Sequence, residues 1–440
     1  MLMICFEEIA DMKFVKFNVF LIIIGTGSLG DAPKHDYLKG FTNYLQKESK
    51  LHQLKNIIAK LPMKYVDTRK ILIRSEPFCS TVTANPGERK YDSAQSYIKK
   101  KDIGNMGIIY LNRPGKLNSM NWSMAIYMYK ILEEWENCKT HVIWQSNVKN
   151  IFSAGGDVRA LHFVNGLDTG TRFGIEVTKF FHRLCYFVAN YQKPFITIMD
   201  GLSFGGVSGI AINSKFTVAT ENTMYATPET SIGSTPDVGN IYKLSKLDKN
   251  LGLYLGLTGA KLKGSDVYLA GITTHFIPSS RIHLLTKELT ESNGSDISEI
   301  LKQHHMKNLP NQSSMEPYAE KINHCFSAPT VEEIIDRLKN DNSDWSKNVV
   351  KTIMANSPTA LKMTKQAFDI SSEKNFPDCL KMEFGLTYAA MHTDFGEGIR
   401  ARLIDKDNKP NWQPKTLNAV TEDYINQLFS MVPNYDQLEL

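Results

Sequence analysis

Between residues 104 and 280, short apolar runs alternate with stretches whose apolar residues recur every three or four positions. Residues 107–111, 142–145 and 195–199 are nearly unbroken apolar runs and predict buried strands. Met124, Met128, Ile131 and Trp135 share one helical face, and residues 172–191 keep the same spacing. Residues 216–219 and 224–226 predict two further short strands. Two glycine pairs, Gly155-Gly156 and Gly205-Gly206, each stand where a strand's loop enters a predicted helix. Asp157 is expected near the first helix's N-cap, and the second helix is expected to run to Ile212. Strand–loop–helix repetition of this kind predicts an α/β unit with largely parallel pairing. Beyond about Ile282 the pattern is wholly helical, over 331–339, 348–356, 359–371 and 379–392. Pro358 and Pro377 mark helix starts. The expected organisation is therefore an extension over 1–103, an α/β core over 104–280 and a helical region over 281–440.

Composition narrows the class. The chain has 440 residues, 42% of them hydrophobic and 22% charged, with a formal net charge of +5. That charge suits an anionic small ligand and is too diffuse to imply nucleic acid. Six scattered cysteines with no C-x-x-C pair speak against a zinc site or a disulfide framework. Residues 17–24 form an apolar run after a basic start, but one too short to span a bilayer as a helix. Residues 51–91 hold eight basic residues against three acidic ones. From Met63 onward this segment resembles a mitochondrial transit peptide, so Met63 is expected near the functional start.

The candidate chemistry sits in three loops. A thioester carbonyl under attack gathers negative charge on oxygen, and two preorganised N–H groups stabilise it. A glycine at a helix entry can aim a bare backbone N–H at that point. Residues 227–237, Thr-Pro-Glu-Thr-Ser-Ile-Gly-Ser-Thr-Pro-Asp, add two carboxylates, Glu229 and Asp237, on a Pro-containing loop. A carboxylate beside an oxyanion can act as base or nucleophile. Each glycine pair alone is more often a tight turn, and Pro-Asp alone more often a helix start. The combination points to acyl-thioester chemistry.

Leu111-Asn-Arg-Pro114, Phe152-Ser-Ala-Gly-Gly-Asp-Val158, Lys193-Pro194, Asp200-Gly201 and Pro228-Glu229 resemble, in that order, motifs of the crotonase (enoyl-CoA hydratase/isomerase) superfamily. The branch it most resembles is the 3-hydroxyisobutyryl-CoA hydrolase family. Residues 227–239, 257–268, 270–276, 330–335, 357–362, 395–400 and 403–407 carry that likeness, which covers roughly 104–430. The resemblance implies a crotonase-like spiral of ββα units followed by a helical region. It implies oxyanion donors at Gly156 and Gly206, with Glu229 attacking the carbonyl or activating water and Asp237 orienting a hydroxyl or the water. It further implies substrate contacts at Leu117, Ala154, Asp157, Val158, Gly205 and Pro228. CoA enters as part of an acyl-CoA substrate, with no metal or redox cofactor, no membrane or nucleic-acid partner, and a matrix location; a homo-oligomer is compatible with it. Hydratases of the superfamily use a second glutamate three residues beyond the oxyanion glycine; here that position is Gly209.

The family pattern is broken in three places. Val207 stands where glycine is usual, and a β-branched residue disfavours positive φ at the helix entry. No carboxylate occurs between Val177 and Tyr191, where the family carries one; the match falls on Phe181. Ser234-Thr235 replaces bulkier apolar residues. A degenerate copy acting as a structural subunit of a mitochondrial ribosome is the competing expectation, and retention of Glu229 and Asp237 argues against it.

Overall fold

The computed structural model describes residues 2–5, 20–23, 94–160, 168–292, 294, 296–310, 312–433 and 436–440. The chain divides into two compact units, Met1–Lys90 and Tyr91–Leu440. In the first, β1 (Leu2–Cys5) pairs antiparallel with β2 (Phe20–Ile23), so part of the apolar 17–24 run is a strand. Met63 and the basic segment up to residue 91 lie outside the described residues. No helix among the described residues is long and apolar enough to cross a membrane.

The second unit is built on a six-stranded sheet ordered β12-β9-β7-β5-β4-β3. Its members are β3 (Ile98–Ile103), β4 (Met106–Leu111), β5 (His141–Ser146), β7 (Phe195–Met199), β9 (Phe216–Ala219) and β12 (His275–Phe276). All pairs are parallel except the β3–β4 hairpin. The register sets Ile108 beside Ile143 and Ile198 beside Val218. Strands buried on both faces need apolar residues throughout, which is why these runs were legible. One face packs under α6 (Ile282–Glu291) and α7 (Ile297–His304) through Leu285, Leu289, Ile300 and Leu301. The other face, with Trp144, Phe195 and Met199, joins the main core. There α1 (Trp122–Cys138) lies so close to β4 that a Cβ at Gly107 would fall 2.3 Å from the Trp135 ring.

Order begins earlier than Gly104, which lies in the turn of the β3–β4 hairpin. The strand β3 reads Ile-Lys-Lys-Lys-Asp-Ile and buries only Ile98 fully. An edge strand exposes one side and tolerates such charge, so its sequence carried no apolar signal.

A second sheet, ordered β11-β10-β8-β6, positions the site. It consists of β6 (Ile151–Ser153), β8 (Leu202–Phe204), β10 (Met224–Ala226) and β11 (Leu262–Lys263). β6, β8 and β10 run parallel, with Ile151 and Met224 both registered on Leu202. Strands this short have no readable period, and β6, β8 and β11 were not predicted.

The helical region comprises α8 (Ala319–Phe326), α9 (Val331–Asp341), α10 (Asp344–Ala355), α11 (Pro358–Ser371), α12 (Phe376–Met391) and α13 (Glu422–Phe429). Its starts are chemically defined: Ser357 accepts from Ala360 N and Asn375 from Asp378 N, each followed by proline in the first turn. α12 packs on α2 (Asp168–Ala189) and so carries its buried face to the core beneath the site loops.

Candidate active site

Three parallel strands of the small sheet end side by side, and each feeds one candidate loop. β6 leads to Gly155-Gly156, β8 to Gly205-Gly206 and β10 to Pro228-Glu229. Neighbouring strands lie about 4.8 Å apart, so their loops must emerge as neighbours. The measured spacings agree. A Cβ built on Gly155 would lie 3.5 Å from Gly205 Cα, and one on Gly205 would lie 3.2 Å from Glu229 Oε1. A Cβ on Gly206 would lie 3.3 Å from Asp237 Oδ1.

Gly205 has φ +64°, a conformation that costs an L side chain about 1 kcal/mol or more. It starts α3 (Gly205–Ile212), and Gly206 follows in the first turn, where backbone N–H groups have no helical acceptor. Neither Gly156 nor Gly206 donates a backbone hydrogen bond to another described residue. A Cβ at Gly156 would meet no described residue within 4 Å. Val207 lies within the helix with its side chain buried in the core; the left-handed turn falls on Gly205, and the helix entry is intact. The expected disturbance at Val207 is therefore corrected.

Glu229 is 8% exposed, and neither carboxyl oxygen has a hydrogen-bond partner on another described residue. Burial pushes its pKa well above the usual carboxylate range, with the charge of Asp237 adding to the effect. Asp237 is half-buried and accepts a hydrogen bond from Thr387 Oγ1 at 2.9 Å. Burial pushes it up to about 6, opposed by that hydroxyl. An unpartnered buried carboxyl is costly in free energy.

The remaining expected contacts are distributed unevenly. Leu117 is exposed with φ +50°, and its carbonyl accepts the Ala154 N–H at 2.9 Å. Asp157 stands at the expected N-cap position, and its backbone carbonyl accepts the Ala160 N–H at 3.2 Å. Its carboxylate pairs with Arg113 at 2.6 Å, and helical residues begin at Val158. Arg113 also donates to the Ser119 carbonyl, so the pair fixes the 153–158 loop against the 113–119 turn. Pro228 is half-buried, with its Cα 3.0 Å from a Cβ built on Gly259, the residue that ends α5 (Leu251–Thr258).

Several residues of the site were missed in the sequence. Asn240, at the start of α4 (Asn240–Leu244), donates to the Asp237 carbonyl at 2.8 Å and the Gly205 carbonyl at 3.3 Å. Its Oδ1 accepts the Tyr225 hydroxyl at 2.7 Å. His182, beside the Phe181 that replaces the family carboxylate, is buried and held neutral, its pKa pushed down to about 4 by burial. Its Nε2 faces the Val238 N–H at 3.4 Å, and Nδ1 faces the Thr178 carbonyl. Glu383 on α12 accepts the backbone N–H groups of Gly239 and Tyr242. Burial raises its pKa to about 8 against those two donors. Its signal was available: a lone carboxylate at the head of the run 383–391, whose other residues carry no charge. Among the described residues, no cluster of His, Cys, Asp and Glu is placed to hold a metal ion.

Residues 106–429 match the model of the enoyl-CoA hydratase/isomerase family. The chain is 38% identical over 354 residues to the mitochondrial 3-hydroxyisobutyryl-CoA hydrolase of Rattus norvegicus, covering 78% of this chain and 91% of that protein. It is 37% identical over 358 residues to the Homo sapiens protein of the same name, with the same coverage. The chain belongs to the 3-hydroxyisobutyryl-CoA hydrolase family. Its fold is similar to that of a carnitinyl-CoA dehydratase from Mycobacterium thermoresistibile, at TM-score 0.72 and 29% identity over 78% of this chain and 98% of that one. An enoyl-CoA hydratase from Rhodobacter sphaeroides gives the same TM-score at 26% identity, covering 78% of this chain and all of that one. The expected crotonase-like α/β core with its helical region is thus the observed fold, and the hydrolase family supplies the closer sequence match of the relatives quoted.

Gly209 is the position at which the family resemblance places the hydratases' second glutamate. A Cβ there would lie 2.4 Å from the Val238 carbonyl oxygen and 2.7 Å from Asn240 Nδ2. The space for a second glutamate is filled by the loop that carries Asp237.

Proposed function

We propose that this protein hydrolyses a short hydroxyacyl-CoA thioester, 3-hydroxyisobutyryl-CoA before others, releasing CoA and the free hydroxy acid as in valine breakdown. The observation that carries the reading is the unpartnered, buried Glu229 carboxyl against Gly205, with Asp237 against the adjacent Gly206. In this reading the thioester oxygen lies between the Gly156 and Gly206 N–H groups. Glu229, once ionised, attacks the carbonyl carbon or takes a proton from the water that does, and CoA leaves as the thiol. Asp237 holds the distal hydroxyl or the water. Leu117, Ala154, Asp157, Val158, Gly205 and Pro228 line the substrate through the loops they build. Such chemistry asks for no metal or redox group, CoA being part of the substrate. The mitochondrial names of the relatives support a mitochondrial location, with the matrix as the compartment proposed. Their hydrolase names favour the enzyme over the structural ribosomal role.

The test is release of free thiol from a panel of hydroxyacyl-CoA esters by the full chain. Preferred turnover of 3-hydroxyisobutyryl-CoA supports the reading, and absence of thiol release from every ester overturns it.

A further inference from the structure

The Asp237-bearing turn is held in an unfavourable shape from outside the α/β core. Val238 has φ +54° and Gly239 φ +87°, two consecutive left-handed residues, the first of them β-branched. Valine rarely adopts this conformation, and it persists only where the surroundings over-determine it. Here every backbone polar group of the two residues is tied. Val238 N–H meets His182 Nε2 at 3.4 Å, and the Cys185 thiol meets the Val238 carbonyl at 3.2 Å. Gly239 N–H donates to Glu383 Oε2, and the Gly239 carbonyl accepts from Asn213 Nδ2 at 3.0 Å. Tyr242 N–H donates to Glu383 Oε1 at 3.0 Å. One helical turn beyond Glu383, Thr387 donates to Asp237 Oδ2. A single face of α12 therefore grips both the backbone of the turn and the carboxylate it presents.

The geometry points to Glu383 and Thr387 as positioning residues that hold Asp237 against Gly206 through the strained 238–239 turn, a device supplied by the helical region. Glu383 touches no reacting atom in this arrangement. It is fully buried, and its two oxygens accept the N–H groups of Gly239, next to the strained valine, and of Tyr242. Loss of either acceptor lets the turn relax toward ordinary φ, and Asp237 swings with it. The inference rests on the hydrolase reading above for its kinetic consequence, but the grip itself is readable without substrate.

The test uses the full chain with Glu383→Gln, Thr387→Val and Thr387→Ser. Gln keeps the shape but turns an N–H₂ group toward one of the two backbone donors. Steady-state hydrolysis is expected to show kcat lowered about tenfold or more in Glu383→Gln with KM within about twofold, because the substrate contacts remain. Thr387→Val is expected to lose kcat about tenfold, and Thr387→Ser to rescue most of it by keeping the hydroxyl. Amide hydrogen exchange of residues 236–243 should be at least about tenfold faster in Glu383→Gln than in the wild type. Unchanged kcat in Glu383→Gln and Thr387→Val, with or without a lower unfolding temperature, overturns the positioning role. So does unchanged exchange of the turn. Should Glu383→Gln fail to fold, the Thr387 pair decides. A wild-type protein without hydrolase activity sinks the functional reading alone, and the exchange experiment then decides the grip.

Discussion

Substitution of Gly209 by alanine tests how tightly the two catalytic loops are fitted together. Gly209 lies in α3, three residues after Gly206, in ordinary helical conformation, so the added methyl brings no backbone strain of its own. It brings overlap. The new Cβ would sit 2.4 Å from the Val238 carbonyl oxygen, 2.7 Å from Asn240 Nδ2 and 3.0 Å from the Asp237 carbonyl oxygen. An ordinary contact needs about 3.4 Å, so the 237–240 segment must retreat by about 1 Å. Two of the three opposed atoms are backbone, and that backbone is already pinned by His182, Glu383 and Asn213. Overpacking of this kind costs about 1–3 kcal/mol, or a fall of about 2–6 °C in Tm for a unit of this size. A displacement of about 1 Å at Asp237 lowers turnover about 10²-fold. Thiol release and thermal unfolding of Gly209→Ala measure both. Turnover within threefold of the wild type, at an unchanged Tm, would refute the claim that the Asp237 loop occupies this space. Gly209→Glu meets the same overlap at its Cβ, so restoring the carboxylate of the hydratases is expected to yield no hydration of an enoyl-CoA.

Glu229→Gln is expected to lower thioester hydrolysis at least about 10²-fold while the fold persists; near-normal turnover would remove Glu229 from the mechanism. Because burial raises Glu229 and Asp237, both hold protons more tightly in the folded than in the unfolded chain. Their contribution to stability is therefore full below about pH 4, where unfolded carboxyls titrate, and declines as pH rises through the folded values. Unfolding measured between pH 5 and 8 should show a shallower decline in Glu229→Gln than in the wild type. The acid limb of kcat/KM should have its midpoint near or above 6, not in the ordinary carboxylate range. Asp237→Asn should move that limb to lower pH by removing the charge that raises Glu229, and a limb that stays in place would show the two groups to be independent. Arg113→Met leaves the Asp157 carboxylate without its partner in a nearly buried setting and should destabilise the protein by about 3–5 kcal/mol; a denaturation midpoint unchanged by the substitution would show that the pair does not hold the loop.

The sequence by itself determined the four inner strands of the large sheet, β4, β5, β7 and β9, and the helical region, because their signals are local. Doubly buried strands such as 195–199 are unbroken apolar runs, and helices such as 358–371 announce themselves with Ser357 at the cap and Pro358 after it. It also singled out Gly155-Gly156, Gly205-Gly206, Glu229 and Asp237, whose spacing on strand-to-helix loops is itself chemical information. Only the tertiary structure decided how these loops meet, since β6 and β8 are three residues each and their pairing with β10 leaves no periodic trace. It alone brought Glu383 and Thr387 from a helix some 150 residues away onto the Asp237 turn. Contacts between segments that distant are set by packing of whole elements, and a helix face is read as core or as site only once its partner is known.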